Sequence, residues 1–291
     1  MSARRPARHF VACLLVVFSV LGTGVGAKCA VAQTSAQPPA PPDKKLILPG
    51  ETFWVAGKPA FVLLPEQSKR ATPQPWIIYA PTLPGLPDSH ELWMHEKFVA
   101  AGVAVAGIDI GEGYGGPAGR QAFTALYDEL TGKRGFARKV VLLGRSRGGL
   151  WITNWAAENT DKVAGIAGIY PVFDFRTYPG LDRAASAYGL TPAQLAADQA
   201  KHNPIEQVER LAAARIPAVL IHGDDDKVVP LKENSAEFLR RYEAAKAGDA
   251  VQLIVAKGQG HNYWQGFFRC EPLVEFAIRR AKAKDGAPPG N

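Results

Sequence analysis

A serine hydroxyl becomes a useful nucleophile only when a base removes its proton. The residues to find first are therefore a serine held in an exposed turn and a histidine and carboxylate able to reach it. Ser146 stands in Gly144-Arg145-Ser146-Arg147-Gly148, between the apolar run Val140 to Leu143 and a segment with helical spacing at Leu150, Trp151 and Trp155. That is strand, tight turn, helix, with serine at the apex: the Gly-x-Ser-x-Gly elbow, whose strained turn exposes the hydroxyl above a sheet. The glycines suit a turn that brings backbones close and leaves little room for a Cβ. Five residues are a weak pattern alone, since any Gly-rich loop between strand and helix has the same letters.

The elements that would position these groups alternate along the chain. Phe53 to Val55 and Phe61 to Leu64, flanking Ala56-Gly57-Lys58-Pro59, predict an edge hairpin. Short apolar runs at Trp76–Tyr79, Val103–Ile110, Val140–Leu143, Val163–Tyr170, Ala218–Ile221 and Val251–Val255 predict strands. Helical patterns fall between them, over about Ser89–Ala101, Arg120–Leu130, Leu150–Glu158, Ile205–Ala214 and Leu231–Ala245, with Glu271–Ala283 closing the chain. Pro171 to Asn203 reads as irregular, with one helix over Pro192–Ala200. Such alternation predicts a mostly parallel sheet with helices on both faces and a short insertion after the strand that follows the serine's helix. Functional loops in such sheets lie beyond the strand C-termini. Ser146, Asp226 and His261 each follow a strand, so all three should gather at one edge, in the chain order Ser, Asp, His.

With these pieces the sequence resembles an α/β-hydrolase over roughly residues 50–285. It is similar to the branch containing dienelactone hydrolases and the catalytic domains of prolyl-oligopeptidase-type peptidases. The likeness rests on Gly144 to Gly148 as elbow, His222-Gly223-x-x-Asp226-x-x-Val229-Pro230 as acid loop and Gly260-His261 as histidine loop. It implies that Ser146 is the nucleophile, His261 its base and Asp226 the group that orients the imidazole. The choice of Asp226 over its neighbours Asp224 and Asp225 rests on the family spacing, and Asp174 is a rival acid. His222 reads as a structural turn residue. The oxyanion needs two donors. The resemblance implies the backbone N–H of Arg147 and, by register in the loop after Trp76–Tyr79, that of Leu83. This sequence departs there from the common pattern, with Pro81-Thr82 where His-Gly is usual.

Arg145 and Arg147 around the serine are a second departure. Either they pair with loop carboxylates such as Asp109 or Glu112, or one of them faces the pocket and grips an acidic or polyhydroxylated substrate. Trp151, Tyr263 and Trp264, with aromatics of the insertion, are candidates for a pocket wall, and His90 and His95 lie on a helix near it. Aromatic side chains are as often core as ligand platforms.

Composition sets the remaining bounds. A chain of 291 residues, 47% hydrophobic and 21% charged, suits one sizeable α/β domain. Four of the seven net positive charges fall on Arg4, Arg5, Arg8 and Lys28, and no basic cluster in the remainder suggests a nucleic-acid partner. Residues 1–32 read as a signal peptide: a charged start, the apolar segment Phe10–Leu21, and Ala30-Val31-Ala32 as cleavage site. The apolar run is short for a membrane span, so no stable anchor is expected. Residues 33–49, rich in Pro, Ala and Gln, read as a tether. Cys13 and Cys29 would leave with the signal, and Cys270 reads as a buried small hydrophobe. No Cys/His spacing suggests zinc, and the chemistry needs no metal or organic cofactor.

The expectation is thus a secreted or periplasmic serine hydrolase that cleaves carboxylic esters through an acyl-enzyme, on small or carbohydrate-linked substrates. Two other readings stay open. One is a peptidase or amidase of the prolyl-oligopeptidase type, although such peptidases normally carry a propeller domain for which the short N-terminal region has no room. The other is a non-catalytic binding protein on a hydrolase scaffold.

Overall fold

Ala56 and Gly57 both take positive φ (48° and 72°), the backbone that a two-residue hairpin turn requires, and they join the first two strands. The computed structural model describes residues 40–81, 83 and 85–283. The strands are β1 (Gly50–Val55), β2 (Lys58–Leu63), β3 (Trp76–Ala80), β4 (Ala104–Ile108), β5 (Val140–Arg145), β6 (Val163–Ile169), β7 (Ala218–Gly223) and β8 (Val251–Ala256). They form a single sheet in the order β1-β2-β4-β3-β5-β6-β7-β8. β1 and β2 pair antiparallel, β2 meets β4 antiparallel, and the pairings from β4 to β8 are parallel.

The helices between them are α1 (Leu92–Ala100), α2 (Pro117–Lys133), α3 (Gly148–Glu158), α4 (Leu181–Ala184), α5 (Pro192–Ala197), α6 (Gln199–His202), α7 (Pro204–Ala213), α8 (Ser235–Ala244), α9 (Gln265–Phe268) and α10 (Glu271–Ala281). Proline sits in the first turn of α2, α5, α7 and α10, where its missing N–H has no helical partner to lose. Strand periodicity splits the core into two layers. Val140 and Leu142 join Trp76 and Ile78 under α2, α3, α7 and α8. Val141 and Leu143 join Ile77 and Tyr79 under α1 and α10. Burying a large apolar side chain of this kind contributes about 1.5–3 kcal/mol. The mostly parallel sheet covered on both faces, with the insertion after β6, is the architecture the sequence predicts.

Three stretches differ in detail. Residues 171–203 carry α4, α5 and α6 rather than one helix, and Phe173 and Phe175 are buried in the core. Two buried asparagines draw this segment inward: Asn234 Oδ1 accepts the N–H groups of Phe173 (2.8 Å) and Asp174 (3.0 Å), and Asn203 Oδ1 accepts that of Phe175 (3.2 Å). The same Asn234 donates to the Pro230 carbonyl, so α8 starts only at Ser235 instead of Leu231. Residues 40–49, read as tether, lie against the domain. Trp54 Nε1 donates to the Ala40 carbonyl (2.7 Å), and Leu46, Ile47 and Leu48 pack on the α1/α10 layer.

The expected signal peptide, its cleavage point after Ala32 and residues 33–39 lie outside the described residues. Among the described residues, no helix is long and apolar enough to cross a membrane. Cys270 is buried at the start of α10, and burial pushes its thiol up.

Candidate active site

Ser146 sits between β5 and α3 with φ at 51°, a left-handed conformation that costs a non-glycine residue on the order of 1–3 kcal/mol. The turn is held from both sides. The Ser146 N–H donates to the Ile169 carbonyl of β6 (2.9 Å), and its own carbonyl accepts the N–H groups of Gly149 (2.9 Å) and Val172 (2.8 Å). A Cβ at Gly148 would run into the Ala80 carbonyl, so the start of α3 lies directly against the root of the loop that leaves β3. With its backbone fully engaged, Ser146 is free to present its hydroxyl.

That hydroxyl lies 2.8 Å from His261 Nε2, and His261 Nδ1 lies 2.7 Å from Asp226 Oδ2. The carboxylate can only accept, which puts the imidazole proton on Nδ1 and leaves Nε2 to accept from Ser146. The other oxygen of Asp226, Oδ1, accepts the N–H groups of Val228 (2.9 Å) and Val229 (2.8 Å). Burial works against ionisation of this carboxyl. The hydrogen bonds from His222, His261 and Val229 outweigh it and hold Asp226 well below the usual carboxylate range. Asp224 accepts the Gly258 N–H (2.7 Å) and pairs with Lys257, Asp225 pairs with Lys227, and Asp174 is engaged by Arg176 and Asn203. Asp226 is thus the acidic side chain of these that reaches His261. His222 is fully buried between Ser235 Oγ and the Val229 carbonyl (2.8 Å each), with Nε2 3.5 Å from Asp226.

Of the two donors expected at the oxyanion, the Arg147 N–H stands at the start of α3 with no hydrogen-bond acceptor among the described residues. Leu83 lies in the loop beyond β3, its carbonyl accepting the Leu86 N–H (2.9 Å) and Lys44 Nζ (3.3 Å). Among the described residues no cluster of three or more His, Cys, Asp or Glu could hold a metal ion.

The substrate-binding candidates divide. Trp151 is corrected: it is 1% exposed and packs on Phe123 with ring centroids 6.0 Å apart, because nearly every position of α3 is buried. Arg145 is corrected too. It is 7% exposed, and Nη1 donates to Glu91 Oε2 (2.9 Å) and Asp88 Oδ2 (3.1 Å), so its charge is spent inside the protein. Arg147 pairs with Glu112, as one of the two sequence readings has it. Tyr263 (59% exposed) and Trp264 (43%) do face solvent beside His261. Tyr263 stacks on His90 at 4.3 Å, and these two rings with Ser89, Trp93, Phe268 and Arg269 line a recess of about 210 Å³.

Residues 121–273, just over half of the chain, match the prolyl oligopeptidase family. The chain belongs to that family. Solved structures of similar fold include a puromycin-hydrolyzing peptidase from Mycobacterium tuberculosis (17% identity, TM-score 0.62, covering 81% of this chain and 40% of that one). Est1E from Butyrivibrio proteoclasticus is another (20% identity, TM-score 0.60, 79% and 98%), and Mycobacterium tuberculosis MPT51 a third (13% identity, TM-score 0.64, 80% and 99%). This chain therefore spans only two fifths of the puromycin-hydrolyzing peptidase. No curated protein sequence matches it. The fold is the α/β-hydrolase fold, and the family member is a serine hydrolase.

Sequence reasoning passed over two neighbours of the site in this member of the family. Tyr170, directly after β6, lays its ring 4.3 Å from that of His261, and burial pushes its phenol up so that it stays protonated. Glu91 is fully buried beneath the site, where burial pushes its carboxyl up against the pull of Arg145. Its signal was present as Asp88-Ser89-His90-Glu91, a capping-box spacing, and Glu91 Oε2 does accept the Asp88 N–H (3.1 Å).

His95, one turn on, is fully buried with Nδ1–H on the Glu91 carbonyl (2.9 Å), and among the described residues Nε2 has no partner. Burial pushes its imidazole down to about 4. Between about pH 6.5 and pH 4 the unfolded chain binds a proton here that the folded protein does not. Stability is therefore lost as pH falls through that window, by about 3 kcal/mol at pH 4. Urea unfolding at pH 7 and pH 4.5 should show a smaller loss in His95→Leu than in the wild type; equal losses would contradict this assignment.

Proposed function

We propose that this serine hydrolase is an exported carboxylic ester hydrolase acting through an acyl-enzyme on small polar or carbohydrate-linked esters. The observation that carries the reading is the hydrogen-bonded line from Ser146 through His261 to Asp226. In it, His261 Nε2 takes the Ser146 proton as the hydroxyl attacks the ester carbonyl, and Asp226 stabilises the imidazolium that forms. The oxyanion develops toward the N–H groups of Arg147 and Leu83. His261 then returns the proton to the leaving alcohol, and a water activated by the same imidazole frees the acid.

A polar, ring-bearing substrate is supported by the ground around the serine. Of the insertion's aromatics, Phe173, Phe175 and Tyr188 are buried and Tyr178 lies half-buried beside Arg147, while His90, Tyr263 and Trp264 offer ring faces at the surface. Aromatic faces with polar groups at their edges suit sugar rings and their esters. Membership of the prolyl oligopeptidase family favours a second reading, a peptidase or amidase on the same triad.

The discriminating experiment compares kcat/KM on acetyl, feruloyl and uronate-methyl esters with that on aminoacyl- and prolyl-p-nitroanilides. The ester reading expects at least one ester to exceed every anilide by a wide margin, and the reverse order would replace it with the peptidase. Export is tested by sequencing the N-terminus of the secreted protein, which should begin at Gln33.

A further inference from the structure

Arg145 is an expensive residue where it stands. It continues the row Val141, Leu143 on β5, so its side chain enters the apolar layer beneath α1 and α10. The sheet would be served there by leucine or methionine, since a buried ion pair adds little to stability over apolar packing of similar volume. What an apolar residue cannot do is hold several loops at once.

The contacts of the guanidinium run to two places. On one side Nη1 reaches Glu91 and Asp88. The Glu91 oxygen that accepts it, Oε2, also accepts the hydroxyl of Tyr79 on β3 (2.9 Å) and the Asp88 N–H (3.1 Å). One carboxylate oxygen thus gathers β3, the end of the loop that follows it and the residue before the nucleophile. On the other side Cζ lies 5.4 Å from the ring centre of Tyr263 and 5.1 Å from that of Phe268, both in the segment after His261. Phe268 in turn meets Tyr170 edge-on at 6.1 Å, and Tyr170 supports the His261 ring.

We propose that Arg145 is a positioning residue: the Arg145–Glu91–Tyr79 network fixes the β3–α1 loop and the histidine loop against the elbow, so that the second oxyanion donor and His261 keep their places about Ser146. This rests on the triad reading given above and goes beyond it, since Arg145 touches neither substrate nor the reacting atoms. The nucleophile's own position does not depend on the network, because the Ser146 backbone is anchored separately to Ile169, Gly149 and Val172. Loss of the network should therefore loosen the groups around the serine and leave the elbow intact.

Removing Arg145 alone would strand a buried carboxylate, so the test uses the paired substitution Arg145→Met/Glu91→Leu, which removes both charges and keeps volume. The expected result is a folded protein whose kcat for p-nitrophenyl acetate falls on the order of 100-fold, the scale of a misplaced catalytic group, with KM little changed. Arg145→Lys, which keeps a charged donor opposite Glu91, should recover most of that kcat. Wild-type kcat in the paired variant, or a change confined to KM, would overturn the proposal. Should the paired variant fail to fold, Tyr79→Phe removes one hydroxyl from the same carboxylate and little else. A several-fold fall in its kcat at constant KM supports the proposal, and wild-type kcat overturns it. Ser146→Ala, measured alongside, separates the two claims: turnover retained there would remove the triad reading itself, whereas background turnover there leaves the Arg145 result to judge the network alone.

Discussion

Replacing Ser146 with alanine is expected to lower kcat for ester hydrolysis by about 10⁴- to 10⁶-fold, the loss that follows when the nucleophile of a triad is removed. The structure makes this a clean substitution. The backbone hydrogen bonds of Ser146 to Ile169, Gly149 and Val172 do not involve the side chain, and the hydroxyl bonds only to His261 among the described residues. Alanine takes the φ of 51° at a strain similar to that of serine. Melting temperature should therefore move by no more than a few degrees while turnover collapses. Residual turnover near the wild-type rate would mean that the elbow does no chemistry and would revive the reading of a binding protein on a hydrolase scaffold.

Asp226→Asn should cost nearly as much, about 10⁴-fold in kcat, through the tautomer of His261. The two N–H groups of Val228 and Val229 both point at Oδ1, so the amide oxygen of the variant must take that place. Its NH₂ group then faces His261 Nδ1, which must accept rather than donate. The imidazole proton moves to Nε2, where it points at Ser146 and blocks the transfer that starts the reaction. Crystals of the variant should show an unchanged triad outline. Activity within tenfold of wild type would contradict the hydrogen-bond assignment at Oδ1.

How much of this could be read from the sequence depends on how local each signal is. Short apolar runs separated by helical spacing placed the inner strands β3 to β7 within a few residues, because burial on both faces leaves an unbroken run that needs no partner to be recognised, and a turn signal placed the edge hairpin. Chain order and strand ends brought Ser146, the run Asp224–Asp226 and His261 to one edge, and only the family spacing singled out Asp226, which the structure hydrogen-bonds in line with the other two. Trp151 was misplaced because α3 is buried all round, so helical spacing carried no information about which face met a pocket. The inward path of Phe173 and Phe175 depends on the side chains of Asn203 and Asn234, 28 and 61 residues from the groups they hold. The fate of Arg145 was half legible. Its place in the row of Val141 and Leu143 says that the side chain turns inward, but Glu91, 54 residues earlier, is a partner that strand periodicity cannot name.

Covalent capture of the serine tests the central claim most directly. Folded protein incubated with a fluorophosphonate should gain the mass of one phosphonyl group per chain, on the peptide containing Ser146. The Ser146→Ala variant should gain none, and prior acylation by a slow ester should protect the wild type. A label placed on any other residue, or no label on protein that still hydrolyses esters, would contradict the account.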